Sequence, residues 1–132
     1  MRQLTFSDER WPIAGGFVIA RGAKTEAHVA LVTITQDGMT GRGEAVPYGR
    51  YGETMAGVQD QIEQVRAAIE AGTNLVALQT LLPAGAARNS LDCALWDLQA
   101  KQTGIAASIR AGYARLDPVK TAYTISLGTP EA

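Results

Sequence analysis

The sequence predicts an α+β domain, a three-stranded antiparallel meander followed by a helical bundle, with the first strand of a second unit at its end. Three observations predict it. Apolar residues alternate with polar ones up to Val46, they change to a three-four spacing after Thr54, and Asp37-Gly38 separates two runs rich in β-branched residues. Strands grouped ahead of helices favour α+β over a doubly wound sheet.

The first strand is read over Gln3–Glu9, where Leu4 and Phe6 alternate with Thr5 and Ser7. Past Trp11-Pro12 and the flexible Ala14-Gly15-Gly16, the stretch Phe17–Ala20 is strand-like and breaks at a loop, Arg21-Gly22-Ala23-Lys24. Ala27–Thr35 forms the next strand, Asp37-Gly38 turns the chain, and Thr40–Val46 returns until Pro47 stops it. In the helical half, Val58, Ile62, Val65 and Ile69 fall at spacings of four, three and four, so they line one helix face. Thr54 is the expected N-cap and Gly72 the C-terminal glycine. Asn74 is positioned to cap a short helix carrying Leu75, Leu78, Leu81 and Leu82, closed by Pro83. A third helix covers about Ala86–Gln102, with Leu91, Ala94, Leu95 and Leu98 on its apolar side, and Gly104 ends it. After the turn at Asp117-Pro118, Lys120–Leu127 reads as a new strand, and Thr129-Pro130 as the start of a helix. A strand leading into a helix is the opening of a β/α repeat. The expected division is therefore 1–119 and 120–132.

Composition bounds the function. With 132 residues, 46% hydrophobic and 19% charged, the chain can bury a core as an ordinary soluble domain does. A net charge of −1 without a basic cluster argues against nucleic acid as a partner. The single cysteine, Cys93, supplies neither an internal disulfide nor a zinc framework. No apolar run approaches the roughly 18 residues of a membrane span, and the polar, alternating start is unlike a signal peptide. A cytoplasmic setting is expected.

Few residues point to chemistry. Gly41-Arg42-Gly43 resembles half of a dinucleotide loop but lies within a strand with no helix directly after it. His28, the only histidine, stands mid-strand between Ala27 and Val29 and reads as a surface or packing residue on an edge-like strand. Cys93, beside Ala94 and Leu95, reads as a buried, inert thiol. Asp97 with Lys101, and Arg88 with Asp92, stand four apart on the third helix and read as surface ion pairs. Glu44 and Glu53 flank a loop, but two carboxylates make a poor magnesium site. No catalytic residue and no metal ligand is assigned. Two loops are better candidates for binding: Phe17–Lys24, with Arg21 and Lys24 beside Gly22, and Pro47–Glu53, which mixes Tyr48 and Tyr51 with glycines and charges.

These loops carry a resemblance. Gly43–Thr54 (GEAVPYGRYGET) and Ala86–Lys101 (AARNSLDCALWDLQAK), together with Trp11-Pro12 and Phe17–Gly22, resemble the N-terminal capping domain of the enolase superfamily, as seen in L-Ala-D/L-Glu (dipeptide) epimerases and muconate-lactonising enzymes. The likeness runs from about residue 2 to the end; only Ile105–Arg115 departs from it, lacking the usual proline and leucine-rich close.

The resemblance implies a domain lying over the mouth of a β/α barrel that holds the Mg²⁺ ligands and catalytic lysines. Both loops would then close over a dipeptide substrate. By resemblance, Arg21 pairs with the glutamate side-chain carboxylate, because a guanidinium fork suits a carboxylate. Phe17, Ile19, Tyr48 and Tyr51 supply apolar walls, Lys24 belongs to the first closing loop, and Thr124 matches a substrate-lining position. The chain has no Lys-x-Lys, and 12 residues after Lys120 leave no room for a barrel of about 250. The expectation is a capping and specificity part, inactive alone, of a Mg²⁺-dependent epimerase used in cell-wall peptide recycling. Its partners would be the dipeptide, the barrel and a possible homo-oligomer. Alternatives are a muconate-lactonising or o-succinylbenzoate-forming relative, or a non-catalytic module that self-associates through the exposed strand Tyr123–Leu127.

Overall fold

The computed structural model describes residues 1–20 and 22–128; Arg21 and the expected helix start at Thr129-Pro130 lie outside them. Three strands, β1 (Gln3–Ile19), β2 (Gly22–Gln36) and β3 (Met39–Ala45), form one antiparallel sheet in the order β1-β2-β3. The β2–β3 turn is the one expected from Asp37-Gly38, with φ of 53° and 79°, the paired left-handed conformation that suits the twist of a tight hairpin. The first two strands are longer than the periodicity predicts. Gly15 and Gly16, at φ of 70° and 72°, absorb an irregularity between Pro12 and Phe17, after which pairing resumes as Phe17 to Lys24, Val18 to Ala23 and Ile19 to Gly22. Gly22–Lys24 therefore belongs to β2 and not to an open loop.

Three helices follow the sheet, α1 (Met55–Glu70), α2 (Leu75–Leu81) and α3 (Ala86–Thr103), and then a single turn, α4 (Ala107–Arg110). The expected signals are in place. Thr54 Oγ1 accepts from the Gly57 N–H at 3.0 Å and Asn74 Oδ1 from the Ala77 N–H at 2.9 Å, each cap contributing about 1 kcal/mol. Gly104 closes α3 in the left-handed conformation. Val58, Ile62, Val65 and Ile69 of α1 and Leu91, Ala94, Leu95 and Leu98 of α3 are all buried, meeting Leu4, Val32 and Ile34 of the sheet. Arg2 joins the layers, its Nη1 donating to the carbonyls of Ile69 (3.2 Å) and Thr73 (2.7 Å) at the negative end of α1.

Gly41 and Gly43 let α3 come unusually close to β3. A Cβ on Gly41 would fall 2.1 Å from the Ala94 carbonyl oxygen, and one on Gly43 2.0 Å from that of Ser90. These glycines are a packing notch.

Lys120–Leu127 does not form the expected strand. Residues 117–128 are exposed and without regular secondary structure, because a strand needs a neighbouring ladder and here only Ser126 and Leu127 find a partner, Val18.

Candidate functional site

From the end of β3 the chain passes through Val46-Pro47-Tyr48 into a 3₁₀ turn, Gly49–Tyr51, and reaches α1 at Thr54. The tip of the β1–β2 ribbon stands opposite. Between them Phe17, Ile19, Gly22, Ala23 and Lys24 on the ribbon, and Tyr48 and Arg50 on the loop, enclose a cavity of about 580 Å³. Strand geometry explains the ribbon's contribution. Phe17 and Ile19 are two apart and share a face, and Lys24, paired directly with Phe17, joins them there. The wall is thus mainly apolar, with Lys24 and Arg50 as its cations. A second depression of about 570 Å³ lies alongside, lined by Arg10, Lys24, Glu26, His28 and Glu53 among others. Two of its ribbon side chains are held across the strands, Arg10 in an ion pair with Glu26 and His28 through Nε2 in contact with Asp8 Oδ1.

Glu53 holds the loop in shape. One oxygen accepts from the Tyr48 N–H at 2.9 Å, and the other from the Ala86 N–H at 2.7 Å, in the first turn of α3, where Gly85 offers no side-chain cap. The Tyr48 amide and then the Ala86 amide hold the carboxyl below the usual glutamate range, against a smaller opposing effect of burial. With both oxygens occupied by main-chain donors, Glu53 is a brace between the loop and α3. Tyr48 and Tyr51 lean on each other, ring centres 5.7 Å apart and planes tilted by 48°.

Of the residues expected to bind, Phe17, Ile19, Lys24 and Tyr48 meet at the 580 Å³ cavity. Tyr51 does not line it; 77% exposed, it borders a separate depression with Pro83 and Gly85. Thr124 lies in the exposed segment 117–128, away from the cavity wall. Arg21 lies outside the described residues. Arg50 joins the wall beyond the expected set; its signal in the sequence is a cation between Gly49 and Gly52 on a candidate loop.

Other expectations change. Cys93 is exposed rather than buried: its Cβ sits at the seam with Gly43, but its position on the flank of α3 leaves the sulfur accessible. Burial first, then Asp92 and Glu44, nevertheless push its thiol pKa up. Arg88 and Asp92 do not pair with each other. Arg88 donates to the carbonyls of Gln79 and Leu82, and Asp92 accepts from the Gln79 amide, because α2 lies within reach of both. The Asp97–Lys101 pair forms at 2.8 Å and also grips β3, Asp97 accepting from the Arg42 N–H and Lys101 donating to the Thr40 carbonyl. His28 lies on the central strand, but β3 pairs with β2 only from Ala30 onward, so at His28 the sheet has two strands. Among the described residues, no three His, Cys, Asp or Glu side chains are grouped to hold a metal ion, and no helix is long and apolar enough to cross a membrane.

Comparison with known proteins places this architecture. Residues 1–109 match the N-terminal domain of the mandelate racemase / muconate lactonizing enzyme family. The chain is 45% identical over 131 residues to the L-Ala-D/L-Glu epimerase of Escherichia coli (strain K12), a match covering 99% of this chain and 41% of that protein. It is 38% identical over 104 residues to the N-acetyl-D-glutamate racemase of a Pseudoalteromonas species, covering 77% of this chain and 33% of the relative. Among solved structures, it superposes with a TM-score of 0.90 and 45% identity on an enolase family member from Agrobacterium tumefaciens with homology to dipeptide epimerases, bound to sodium and L-Ala-L-Glu; 99% of this chain and 40% of that one are covered. The chain thus spans about two fifths of the length of these proteins. From its notched helix-on-sheet core to the strand ribbon and the loop that face each other, the chain belongs to the mandelate racemase / muconate lactonizing enzyme family and has the fold of that family's N-terminal capping domain.

Proposed function

We propose that residues 1–119 are the substrate-capping and specificity domain of a Mg²⁺-dependent L-Ala-D/L-Glu epimerase, and that residues 120–132 begin its β/α barrel. The parent enzyme would work in the cytoplasm on peptides released in cell-wall recycling. The observation that carries the reading is the cavity: Phe17, Ile19, Lys24 and Tyr48, assigned to substrate by resemblance, share one wall with the additional cation Arg50. Apolar sides with cations suit a short peptide ending in an acidic residue.

The chemistry divides accordingly. Removing a proton α to a carboxylate requires a base and electrostatic stabilisation of the resulting enediolate. The described residues of this chain do not fit a magnesium site, so no step is assigned to a metal here; the metal and the bases belong to the barrel of the parent. This chain's part is to bind the substrate, orient it and exclude water. Arg21 takes the glutamate side-chain carboxylate, and Thr124 and Tyr51 complete the enclosure once the barrel is beneath them. The 132-residue chain alone would turn nothing over.

The natural-length protein, incubated in D₂O with Mg²⁺ and L-Ala-D-Glu, is expected to incorporate deuterium at the glutamate α-carbon. No incorporation overturns the proposal, and activity in the 132-residue chain overturns the division of labour. The likeness to an N-acetyl-D-glutamate racemase supports a second reading, in which the amino-side group is an acyl cap instead of alanine. N-acetyl-glutamate assayed in parallel separates the two by kcat/KM.

A further inference from the structure

The segment after Asp117 returns to the sheet at one residue. Among the described residues, its hydrogen bonds to the rest of the fold are two, both at Val18: the Val18 N–H donates to Ser126 Oγ at 2.9 Å, and the Leu127 N–H donates to the Val18 carbonyl at 2.8 Å. Val18 lies on β1, whose outer edge has no strand beyond it among the described residues.

The geometry is self-consistent. In an antiparallel pair, a residue directs its N–H and carbonyl either both toward the partner strand or both away. Val18 gives both to the tail, so at its pairing with Ala23 these groups face outward, and the edge is gripped by its main chain. Its side chain alternates with those of Phe17 and Ile19, which line the 580 Å³ cavity. The tail therefore fixes the strand that carries two walls of the cavity without occupying the cavity. Half of the grip is independent of side chain, since any residue but proline at 127 can supply an N–H. The other half depends on Ser126, whose hydroxyl stands where a neighbouring strand would offer a carbonyl.

We infer that Ser126 is a positioning residue for substrate binding: through the Val18 main chain it sets the tip of the β1–β2 ribbon, and with it Phe17 and Ile19, against the loop carrying Tyr48. The inference rests on the proposed epimerase function for its kinetic consequence and on geometry alone for the clasp itself. It makes the junction between the two parts of the enzyme a determinant of substrate fit.

The test uses the natural-length protein with Ser126→Ala, Ser126→Thr and Val18→Pro. Val18→Pro removes the same bond from the donor side, at an open edge where proline is tolerated. Hydrogen exchange of the Val18 amide is expected to quicken about 2- to 10-fold in Ser126→Ala, the range set by one net hydrogen bond, and to return toward wild type in Ser126→Thr. KM for L-Ala-D-Glu is expected to rise by a similar factor of roughly 2 to 10 in Ser126→Ala and Val18→Pro, with kcat within about 2-fold and no added effect when they are combined. Unchanged exchange overturns the clasp. Quickened exchange with unchanged KM overturns the positioning role. A wild-type protein inactive toward the dipeptide sinks the epimerase proposal, while the exchange measurement still decides the clasp.

Discussion

Replacing Gly41 by alanine adds one methyl group and is predicted to be among the most damaging single changes in the chain. The glycine has ordinary extended backbone geometry, so conformational strain contributes nothing and the cost is steric. The new Cβ would lie 2.1 Å from the Ala94 carbonyl oxygen, 2.6 Å from the Leu98 nitrogen and 2.7 Å from the Leu98 Cβ, where ordinary contact begins at 3.4 Å. The shortfall at the closest atom is 3.4 less 2.1, about 1.3 Å, and it falls on helix backbone that cannot turn aside as a side chain could. Relief requires lifting α3 away from the sheet, which separates Leu91, Leu95 and Leu98, all fully buried, from their contacts on β2 and β3. A gap of about 0.5–1 Å already forfeits a quarter to a half of each dispersion contact, so the loss belongs at or above the upper end of overpacking penalties, about 3 kcal/mol. Urea unfolding followed by the fluorescence of Trp11 and Trp96 is the assay, with a fall in melting temperature of roughly 10 °C or more as a second measure. Gly57→Ala is the control: in the first turn of α1 its Cβ meets only a side-chain atom, Thr54 Oγ1 at 3.2 Å, and the helix propensity of alanine over glycine, up to about 1 kcal/mol, offsets that contact. A loss below about 1 kcal/mol for Gly41→Ala, with an unchanged urea slope, would refute the close approach.

Further outcomes can be checked on the same material. Because the folded-state pKa of Glu53 is depressed, its brace is fully in place above the ordinary glutamate pKa of about 4.3 and is lost as pH falls through the lower folded value. Amide exchange at Tyr48 and Ala86 should therefore quicken, relative to the rest of α3, as the solution is acidified below that point, and Glu53→Ala should abolish the difference. Asn74→Ala should cost about 1 kcal/mol in urea unfolding, since Asn74 caps α2 through the Ala77 N–H. Cys93 is accessible but its thiol pKa is raised, so a small maleimide should react slowly at neutral pH and faster as pH climbs past the ordinary thiol range; a burst at pH 7 would contradict its surroundings.

What could be read from the residues was what local physics controls. Thr54, Asn74 and Gly104 mark helix ends by chemistry confined to one turn, and all three act as expected. The four-three-four spacing on α1 named its buried face because a helix has one period. The misreadings lie where distant segments decide. Gly22–Lys24 looked like a loop, but a bulge at Gly15-Gly16 lets β1 continue and recruits those residues into β2. Arg88 and Asp92 had helix spacing for a pair, yet the nearby Gln79 drew both away. Gly41 and Gly43 resemble half of a nucleotide loop in sequence alone; their role as a notch depends on Ser90 and Ala94 lying over them. Within the cavity, Phe17 and Ile19 follow from the family likeness, whereas Arg50 is marked in the sequence only as a cation on a candidate loop, and its place in the wall is set by the loop's path.

The notch also sets a length match between unlike elements. From Gly41 to Gly43 the strand advances by two residues, about 6.7 Å, while their closest partners step back along α3 from Ala94 to Ser90, four residues and about 6 Å. Strand and helix therefore mesh like two racks with nearly equal tooth spacing, and a slip of one residue on either side would set a side chain against backbone. A joint that cannot slide gives the loop leaving β3 a fixed origin. The loop's residues can then vary to suit a different substrate without disturbing the platform from which they project.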